Sequence, residues 1–285
     1  MKFLTFVQQG AYRLGLATDT GVIDLNAFDG SLPTDLGAAL AAGVDLHAVA
    51  QKALASTAPR LATDTIEYAP ALPHPGKIIC LGLNYIDHAK ESNRDHPVYP
   101  WFFLRCDTSL VAHGKNGVIP KVSDRFDWEA ELAVVIGKKA RHLTLDNALD
   151  VVFGYACFND MSVRDYQKRT PQWTIGKNFD ATGGFGPVVV TADELPPGGR
   201  ELRIQCRVNG QIMQDANTSD MIFDVPETLR LLTECLTLEP GDVIVMGTPS
   251  GVGQARTPPV FMKAGDVCEI EIERVGLLRN PIVAE

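Results

Sequence analysis

Apolar and polar residues alternate along the beginning of the chain, and this pattern predicts a small antiparallel sheet. Over residues 3–25 the alternation is interrupted by the turn sequence TDTG at 18–21, after which apolar residues begin a return strand. Residues 36–55 are rich in alanine and leucine, which favours a helix that Gly43 interrupts. The chain is therefore expected to begin with a small unit of strands and helices.

A proline-rich segment follows this unit. Residues 69–76, APALPHPG, contain three prolines and a glycine, a composition typical of a linker. We place a domain boundary there, with a small N-terminal α/β domain at residues 1–72 and a larger domain at residues 73–285.

Beyond the linker, short apolar runs rich in β-branched residues alternate with glycine and proline turns. Strands are predicted at 77–82, 132–136, 151–159, 187–191, 202–209, 242–246 and 267–275. A helix is predicted to begin after Asp224, because a proline and Glu227 follow at capping positions. Regular strand–helix alternation is missing, so the expected fold class is α+β and mainly β.

Composition and charge exclude several classes of function. The chain has 285 residues, 45% of them hydrophobic, and a formal net charge of −9 with a pI near 5.2. An acidic chain without a basic patch argues against nucleic-acid binding. A site for a small anion in such a chain would need several lysine or arginine side chains close together. No apolar segment approaches the roughly 20 residues that span a bilayer, so no membrane contact is expected. The polar start and six scattered cysteines without a CxxC pair predict a cytoplasmic protein with reduced thiols.

Two glutamates one residue apart precede an apolar run in the segment FDWEAELAVVIG, residues 126–137. Glu129 and Glu131 have like orientation on a strand and repel each other there. Asp160 ends the predicted strand 151–159 and needs a partner or a cation. If the two strands are neighbours, three carboxylates converge into a set of oxygen ligands that suits Mg²⁺, Mn²⁺ or Ca²⁺. The alternative is a solvated strand start, which is the commoner situation.

A histidine and a glutamate follow the strand predicted at 77–82. If the segment after it is helical, His88 and Glu91 share a face, and the carboxylate can orient the imidazole as a general base. The alternative is a surface pair that contributes little to the stability of the fold. The next segment, residues 92–100, is polar and rich in turn residues, and is predicted to act as a lid.

Cations and hydrogen-bond donors follow in two further segments. Arg164 and Gln167 come soon after Asp160, and Lys177 follows them. A glycine-rich loop at 246–253, MGTPSGVG, can offer backbone N–H groups and the Thr248 hydroxyl to an anion. Solvated cations and a tight turn are the simpler explanations of these two features.

Taken in this order, the four segments resemble the fumarylacetoacetate hydrolase family from about Lys77 to Pro281. The resemblance implies a catalytic domain of mixed β-roll type, preceded by a small N-terminal domain, and a homodimer. It also implies that Glu129, Glu131 and Asp160 bind Mg²⁺ or Mn²⁺, with Ca²⁺ as a substitute in crystals.

The resemblance assigns the remaining site residues as well. His88 and Glu91 match a catalytic dyad, while Gln167 and Lys177 match positions that hold substrate oxygens. The predicted substrate-binding residues are Thr248, which receives a carboxylate, Arg105, Arg164 and Tyr85.

Two positions depart from the family pattern. Arg105 stands where many members have a lysine, and Leu81 stands where some have a fourth carboxylate ligand. Three protein ligands leave about three open positions on an octahedral ion, which favours a small chelating 2-oxo acid.

The expected function is therefore metal-dependent hydrolysis of a C–C bond in a 2,4-dioxo acid of the acylpyruvate type. His88, steadied by Glu91, would take a proton from water, and Gln167 and Lys177 would stabilise the oxyanion. The same pocket suits oxaloacetate decarboxylation, hydration of a dienoic 2-oxo acid, or keto–enol isomerisation. A binding protein for a small anionic 2-oxo acid, without turnover, is the alternative outside the enzymes.

Overall fold

A computed structural model of the chain describes residues 1–91, 95 and 97–285. The strands of these residues are β1 (Lys2–Gln8), β2 (Ala11–Thr18), β3 (Gly21–Asp24), β4 (Arg60–Leu61), β5 (Glu67–Tyr68), β6 (Ile78–Gly82), β7 (Trp101–Arg105), β8 (Leu110–Val111), β9 (Gly117–Ile119), β10 (Phe126–Asp127), β11 (Ala130–Ile136), β12 (Val152–Asp160), β13 (Ser162–Val163), β14 (Gly183–Thr191), β15 (Arg203–Val208), β16 (Gln211–Asn217), β17 (Val243–Val245), β18 (Val267–Ile272) and β19 (Gly276–Ala284). The helices are α1 (Leu25–Phe28), α2 (Leu36–Ala41), α3 (Leu46–Leu54), α4 (Ile86–Glu91), α5 (Arg164–Gln167), α6 (Thr174–Lys177) and α7 (Val225–Cys235).

Most of these strands lie in two sheets. The large sheet has the order β4-β3-β2-β1-β14-β12-β11-β17-β6-β7, with β5 beside β1 and β8 beside β14. A five-stranded sheet has the order β16-β15-β18-β19-β9, and β10 pairs with β13 separately. The pairing is mixed, since β6 runs parallel to β17 while most other neighbours are antiparallel. The predicted class, α+β and mainly β, is confirmed.

The centre of the large sheet is buried on both faces. Every residue of β11 is buried, so its alternating side chains enter two different cores. Leu132, Val134 and Ile136 point into a core shared with the five-stranded sheet. Ala133 and Val135 point into a core that also holds apolar residues of α2 and α3. The beginning of β11, at which Glu129 and Glu131 lie, is therefore fixed by packing on both faces of the sheet.

The first strands of the chain extend the large sheet. β1 pairs antiparallel with β14, and Phe3 lies opposite Val189. The turn predicted at 18–21 joins β2 to β3, and the helix predicted at 36–55 is divided into α2 and α3 around Gly43, whose φ is +68°. The domain boundary between residues 72 and 73 stays a prediction, and the sheet itself runs across it.

The predicted cap of α7 is confirmed, because the Asp224 side chain accepts a hydrogen bond from the Glu227 N–H at 3.1 Å. The predicted strands match β6, β11, β12, β14, β15, β17 and β18 within a few residues. Strands β7, β16 and β19 were not predicted. β16, QIMQDAN, is polar and exposed because it is an edge strand, and its backbone pairing with β15 rather than apolar burial holds it. No helix within the described residues is both long and apolar enough to cross a membrane.

Candidate active site

Three carboxylates meet at one end of the large sheet. β11 and β12 are antiparallel neighbours, with Glu131 opposite Phe158, so the start of one strand meets the end of the other. The Asp160 N–H donates to the Glu129 carbonyl oxygen at 3.0 Å, which fixes the two ends together. One carboxylate oxygen of each of Glu129, Glu131 and Asp160 lies within 4.8 Å of the others, and all three residues are buried. The predicted convergence therefore occurs.

Buried cations neutralise two of these carboxylates. The Lys177 ammonium donates to both Glu129 and Asp160 at 2.6 Å. Burial opposes ionisation of Glu129, but the charges of Lys177 and Arg164 outweigh burial and hold the pKa of Glu129 below its usual range. Arg105 donates to Asp160 Oδ1 at 2.5 Å, while Lys177 contacts Oδ2. Glu129 is thus held as a carboxylate, and Asp160 has two buried cationic partners.

Glu131 has a different environment. The Gly247 N–H donates to Glu131 Oε2 at 2.6 Å. Burial, together with the negative charges of Asp160 and Glu129, raises the pKa of Glu131 well above its usual range. A group of four buried carboxylates, these three and Asp127, faces three buried cations. With all four carboxylates ionised, the group would therefore carry one negative charge more than its three cations neutralise.

This arrangement fits a divalent cation. An ion among Glu129, Glu131 and Asp160 would remove the repulsion that Glu131 experiences. Hard oxygen ligands favour Mg²⁺, Mn²⁺ or Ca²⁺ over softer metals. The donor set and its charge thus agree with the metals predicted from the sequence.

A histidine–glutamate pair lines the same cavity as Glu129 and Glu131. α4 places His88 and Glu91 three residues apart, and the His88 Nδ1 lies 2.7 Å from Glu91 Oε1. The other Glu91 oxygen accepts a hydrogen bond from the Gly251 N–H at 2.9 Å. A carboxylate at Nδ1 selects the tautomer whose Nε2 is free to accept a proton. The pair has the geometry of a general base.

A cavity of about 600 Å³ brings these groups together. Such a volume is typical of small-molecule sites, which range over about 300–1,000 Å³. The predicted site residues on its wall are His88, Glu91, Glu129, Glu131, Arg164, Gln167, Lys177 and Thr248. The cavity is therefore lined by a base, an acidic cluster and several hydrogen-bond donors.

Gln167 and Thr248 are oriented by neighbours. Gln167 Oε1 accepts a hydrogen bond from Arg164 at 2.9 Å, so the amide N–H groups are left to face a ligand. Thr248 Oγ1 accepts from the Gln214 side chain at 2.8 Å, so the hydroxyl can donate elsewhere. Gly247 before it has φ +87°, and a side chain there would meet Asn84 Cβ at 2.8 Å. A glycine is required for the loop to pass this close.

Two predicted substrate-binding residues are not on the cavity wall. Arg105 is buried behind Asp160, where it also donates to Thr182 at 2.9 Å. Tyr85 is buried, its hydroxyl has no hydrogen-bond partner among the described residues, and burial raises its pKa. Their roles stay predictions. Of the lid predicted at 92–100, residues 92–94 and 96 lie outside the described residues.

Several residues of the site were not predicted. Asp127 accepts from Arg164 at 2.8 Å and from the Gly253 N–H at 2.7 Å, which ties the glycine-rich loop to the acidic cluster. Gln254 and Arg256 line the cavity directly after that loop. The signal for both was their position, immediately beyond the glycine-rich segment that ends at residue 253.

Comparison with known proteins agrees with this geometry. Residues 77–283 match the family model of the fumarylacetoacetate (FAA) hydrolase C-terminal domain. The chain is 41% identical over 274 residues to the oxaloacetate tautomerase FAHD2A, mitochondrial, of Homo sapiens, covering 95% of this chain and 87% of that protein. The structure of fumarylacetoacetate hydrolase from Exiguobacterium antarcticum has a TM-score of 0.86 and 35% identity, with full coverage of both chains. That of maleylpyruvate hydrolase from Sphingobium sp. SYK-6 with manganese (II) ion and pyruvate has a TM-score of 0.83 and 30% identity, covering 100% of this chain and 99% of that one.

The prediction of a cytoplasmic protein is wrong by the same comparison. The human relative is named as a mitochondrial protein, and further relatives carry the same word in their names. The prediction rested on composition, scattered thiols and a polar start. A folded domain has these properties in any aqueous compartment with reduced thiols, so they do not distinguish one compartment from another.

Proposed function

This chain belongs to the fumarylacetoacetate hydrolase family, and we propose that it is a metal-dependent tautomerase that interconverts the keto and enol forms of oxaloacetate. One observation carries the proposal, which is that the His88–Glu91 pair and the three carboxylates line or adjoin the same cavity. The base and the charge-stabilising groups required for enolisation are then within reach of one small substrate. Mg²⁺ or Mn²⁺ is the proposed ion.

The proton transfer is assigned to His88. In the keto acid, Nε2 takes a proton from the carbon beside the 2-oxo group, and the electron pair of that C–H bond moves toward the carbonyl oxygen. One proton then returns to that oxygen, which gives the enol, and the reverse sequence regenerates the keto acid. Glu91 stabilises the imidazolium that forms, because its carboxylate lies 2.7 Å from Nδ1.

The negative charge on the 2-oxygen needs donors that are already in place. Lys177 stays charged although burial opposes it, since Asp160 and Glu129 raise its pKa. Lys177 and the Gln167 amide supply positive potential at the floor of the cavity. When bound, a divalent cation supplies further electrostatic stabilisation of charge on neighbouring oxygens. The manganese (II) ion and pyruvate named for the Sphingobium structure support this assignment.

C–C hydrolysis of a 2,4-dioxo acid, the function expected from the sequence, is the second candidate. It is favoured by the same steadied imidazole, which can equally activate a water molecule. Tautomerisation is preferred because it needs only a base and enolate stabilisation. The tautomerase relative is also more similar to this chain, at 41% identity against 30% for the maleylpyruvate hydrolase. A homodimer stays a prediction.

The two candidates are separated by one pair of assays. The protein is stripped of metal with a chelator, Mg²⁺ or Mn²⁺ is restored, and the decay of the enol absorbance of freshly dissolved oxaloacetate is followed with and without enzyme. Pyruvate release is measured in parallel from oxaloacetate and from acetylpyruvate. Metal-dependent acceleration of the enol decay without pyruvate supports the tautomerase. Cleavage of acetylpyruvate to acetate and pyruvate, with no effect on the enol decay, would favour the hydrolase.

A further inference from the structure

Two polar side chains on the cavity wall have buried atoms without partners. The Nε of Arg256 and the Oε1 of Gln254 are buried and accept or donate no hydrogen bond within the described residues. Both residues line the cavity, in the loop that follows the glycine-rich segment. A buried polar atom left unpaired is unfavourable, and in a ligand cavity it marks a place where the ligand supplies the partner.

Arg256 also lacks a counter-ion. Its Nη2 donates to the carbonyl oxygens of Met213 at 2.8 Å and Gly251 at 3.3 Å, and no carboxylate of the described chain pairs with it. Its guanidinium carbon lies 5.7 Å from the centre of the Trp128 ring. These neutral neighbours orient the guanidinium without neutralising it. A half-buried guanidinium held in this way is prepared for an anion.

The other arginine and lysine side chains around the acidic cluster are already paired. Lys177 is held by Glu129 and Asp160, and Arg164 is held by Asp127 and Glu129. Their charges compensate protein carboxylates. A second carboxylate on the substrate therefore needs a cation elsewhere on the wall, and Arg256 meets that requirement.

We propose that Arg256 is a specificity-determining residue that binds the distal carboxylate of a dicarboxylic 2-oxo acid. The inference rests on the proposed function and names its substrate class. The 2-oxo acid end lies toward the acidic cluster and Thr248, and the distal end lies toward the loop that carries Arg256. Monocarboxylic 2-oxo acids would leave the guanidinium without its anion.

Gly251 connects this contact to the base. Its carbonyl oxygen accepts from Arg256 and from the Trp128 indole at 3.2 Å, while its N–H donates to Glu91 at 2.9 Å. The distance between the guanidinium and the His88–Glu91 pair is thus fixed through one peptide unit on each side of Gly251. In the proposed complex, this connection would keep the cation that binds the distal carboxylate at a constant distance from the base.

The test compares oxaloacetate with its 4-methyl ester, which has nearly the same shape but no distal charge. In Arg256→Gln, kcat/KM for oxaloacetate tautomerisation should fall about 10- to 100-fold, the usual effect of losing a hydrogen bond to a charged group. The value for the ester should not change. Oxalate, which has the chelating end alone, should inhibit the wild type and the variant equally at a fixed concentration of free Mg²⁺.

Two further variants make the comparison specific. Arg256→Lys keeps the charge but not the planar guanidinium with its Nε–H, so it should recover part of the preference for the diacid. Lys168 lines the same cavity, so Lys168→Gln is the matched control and should leave the preference intact. Loss of the preference in Lys168→Gln with none in Arg256→Gln would overturn the inference. So would an equal loss for both substrates in Arg256→Gln, which would indicate a structural role.

Failure of the proposed function is recognised separately. If the wild type accelerates the tautomerisation of neither oxaloacetate nor its 4-methyl ester, the tautomerase proposal fails. The role of Arg256 is then tested by ligand binding. The rise in melting temperature caused by each compound in the presence of Mg²⁺ is then compared. A larger rise with oxaloacetate than with the ester, lost in Arg256→Gln, supports the inference. Equal rises in the wild type contradict it.

Discussion

The substitution Glu131→Gln tests the acidic cluster with opposite expectations for the metal-free and the metal-bound protein. In the metal-free protein, burial and two neighbouring carboxylates raise the pKa of Glu131. Glutamine has the same shape, can still accept from the Gly247 N–H, and carries no charge. We therefore expect metal-free Glu131→Gln to unfold at a higher temperature than the metal-free wild type at pH 7.

The pH dependence of this difference has a definite sign. A carboxyl group whose folded-state pKa is raised binds more protons when folded. The stability it contributes is complete below the pKa of an unfolded glutamate, about 4.3, and is lost as the pH rises through the raised folded-state pKa. The advantage of Glu131→Gln should therefore be large at pH 7 and small near pH 4.

With metal bound, we expect the wild type rather than Glu131→Gln to have the higher melting temperature. At a free Mg²⁺ or Mn²⁺ concentration 100 times Kd, binding stabilises the folded protein by about 2.7 kcal/mol. For a chain of this size that corresponds to a rise of about 5–10 °C in Tm. A thousandfold loss of affinity, about 4 kcal/mol, would leave a stabilisation below about 0.1 kcal/mol at the same metal concentration. The metal-induced shift should thus disappear in Glu131→Gln, together with metal-dependent turnover.

The assay is thermal unfolding from pH 4 to pH 8, after chelation and after metal is restored, with Glu201→Gln as an exposed control. The control should follow the wild type under every condition. A metal-induced shift in Glu131→Gln equal to that of the wild type would refute the ligand assignment. A metal-free variant less stable than the wild type at pH 7 would refute the charge argument.

Three further substitutions test the remaining parts of the site. His88→Gln should lower the turnover rate by about 10²–10⁴-fold, the usual contribution of a general base, while keeping the metal-induced rise in Tm; unchanged turnover would remove His88 from the mechanism. Lys177→Met should destabilise the metal-free protein by about 3–5 kcal/mol, because buried carboxylates lose their cation; urea denaturation measures this, and a change below about 1 kcal/mol would show that the carboxylates are neutral. Gly251→Ala should lower both Tm and kcat, since φ is +102° and a Cβ would collide with the Met213 carbonyl oxygen; a melting curve and turnover identical to the wild type would show that the loop adapts freely.

The local part of this site could be predicted from the sequence. The His88–Glu91 pair lies within one helical turn, and the Glu129–Glu131 pair lies at the start of one strand, so spacing alone indicated a shared orientation. That Asp160 joins the glutamates depends on which strands are neighbours, and apolar runs do not specify neighbours. The family resemblance, rather than periodicity, supplied that pairing.

The orientation of the cations could not be read from the sequence. Arg105 ends the aromatic strand β7, a position equally compatible with facing substrate or facing the core, and in the structure its side chain is buried and donates to Asp160. Arg256 lies in a loop, and its side chain is placed by carbonyl oxygens of residues far away along the chain, such as Met213. Long-range contacts of this kind leave no periodic trace in sequence.

The pairing of β1 with β14 also bears on how the catalytic region would behave alone. A chain shortened to residues 77–283, the range of the family model, would lack β1 and leave part of β14 as an open sheet edge. Val189, fully buried against the first strand and its core, would face water. Unpaired backbone N–H and C=O groups beside apolar side chains can form hydrogen bonds with a strand of another molecule. The first strand therefore covers a sheet edge that could otherwise pair with a second molecule, a role separate from anything it contributes to the chemistry.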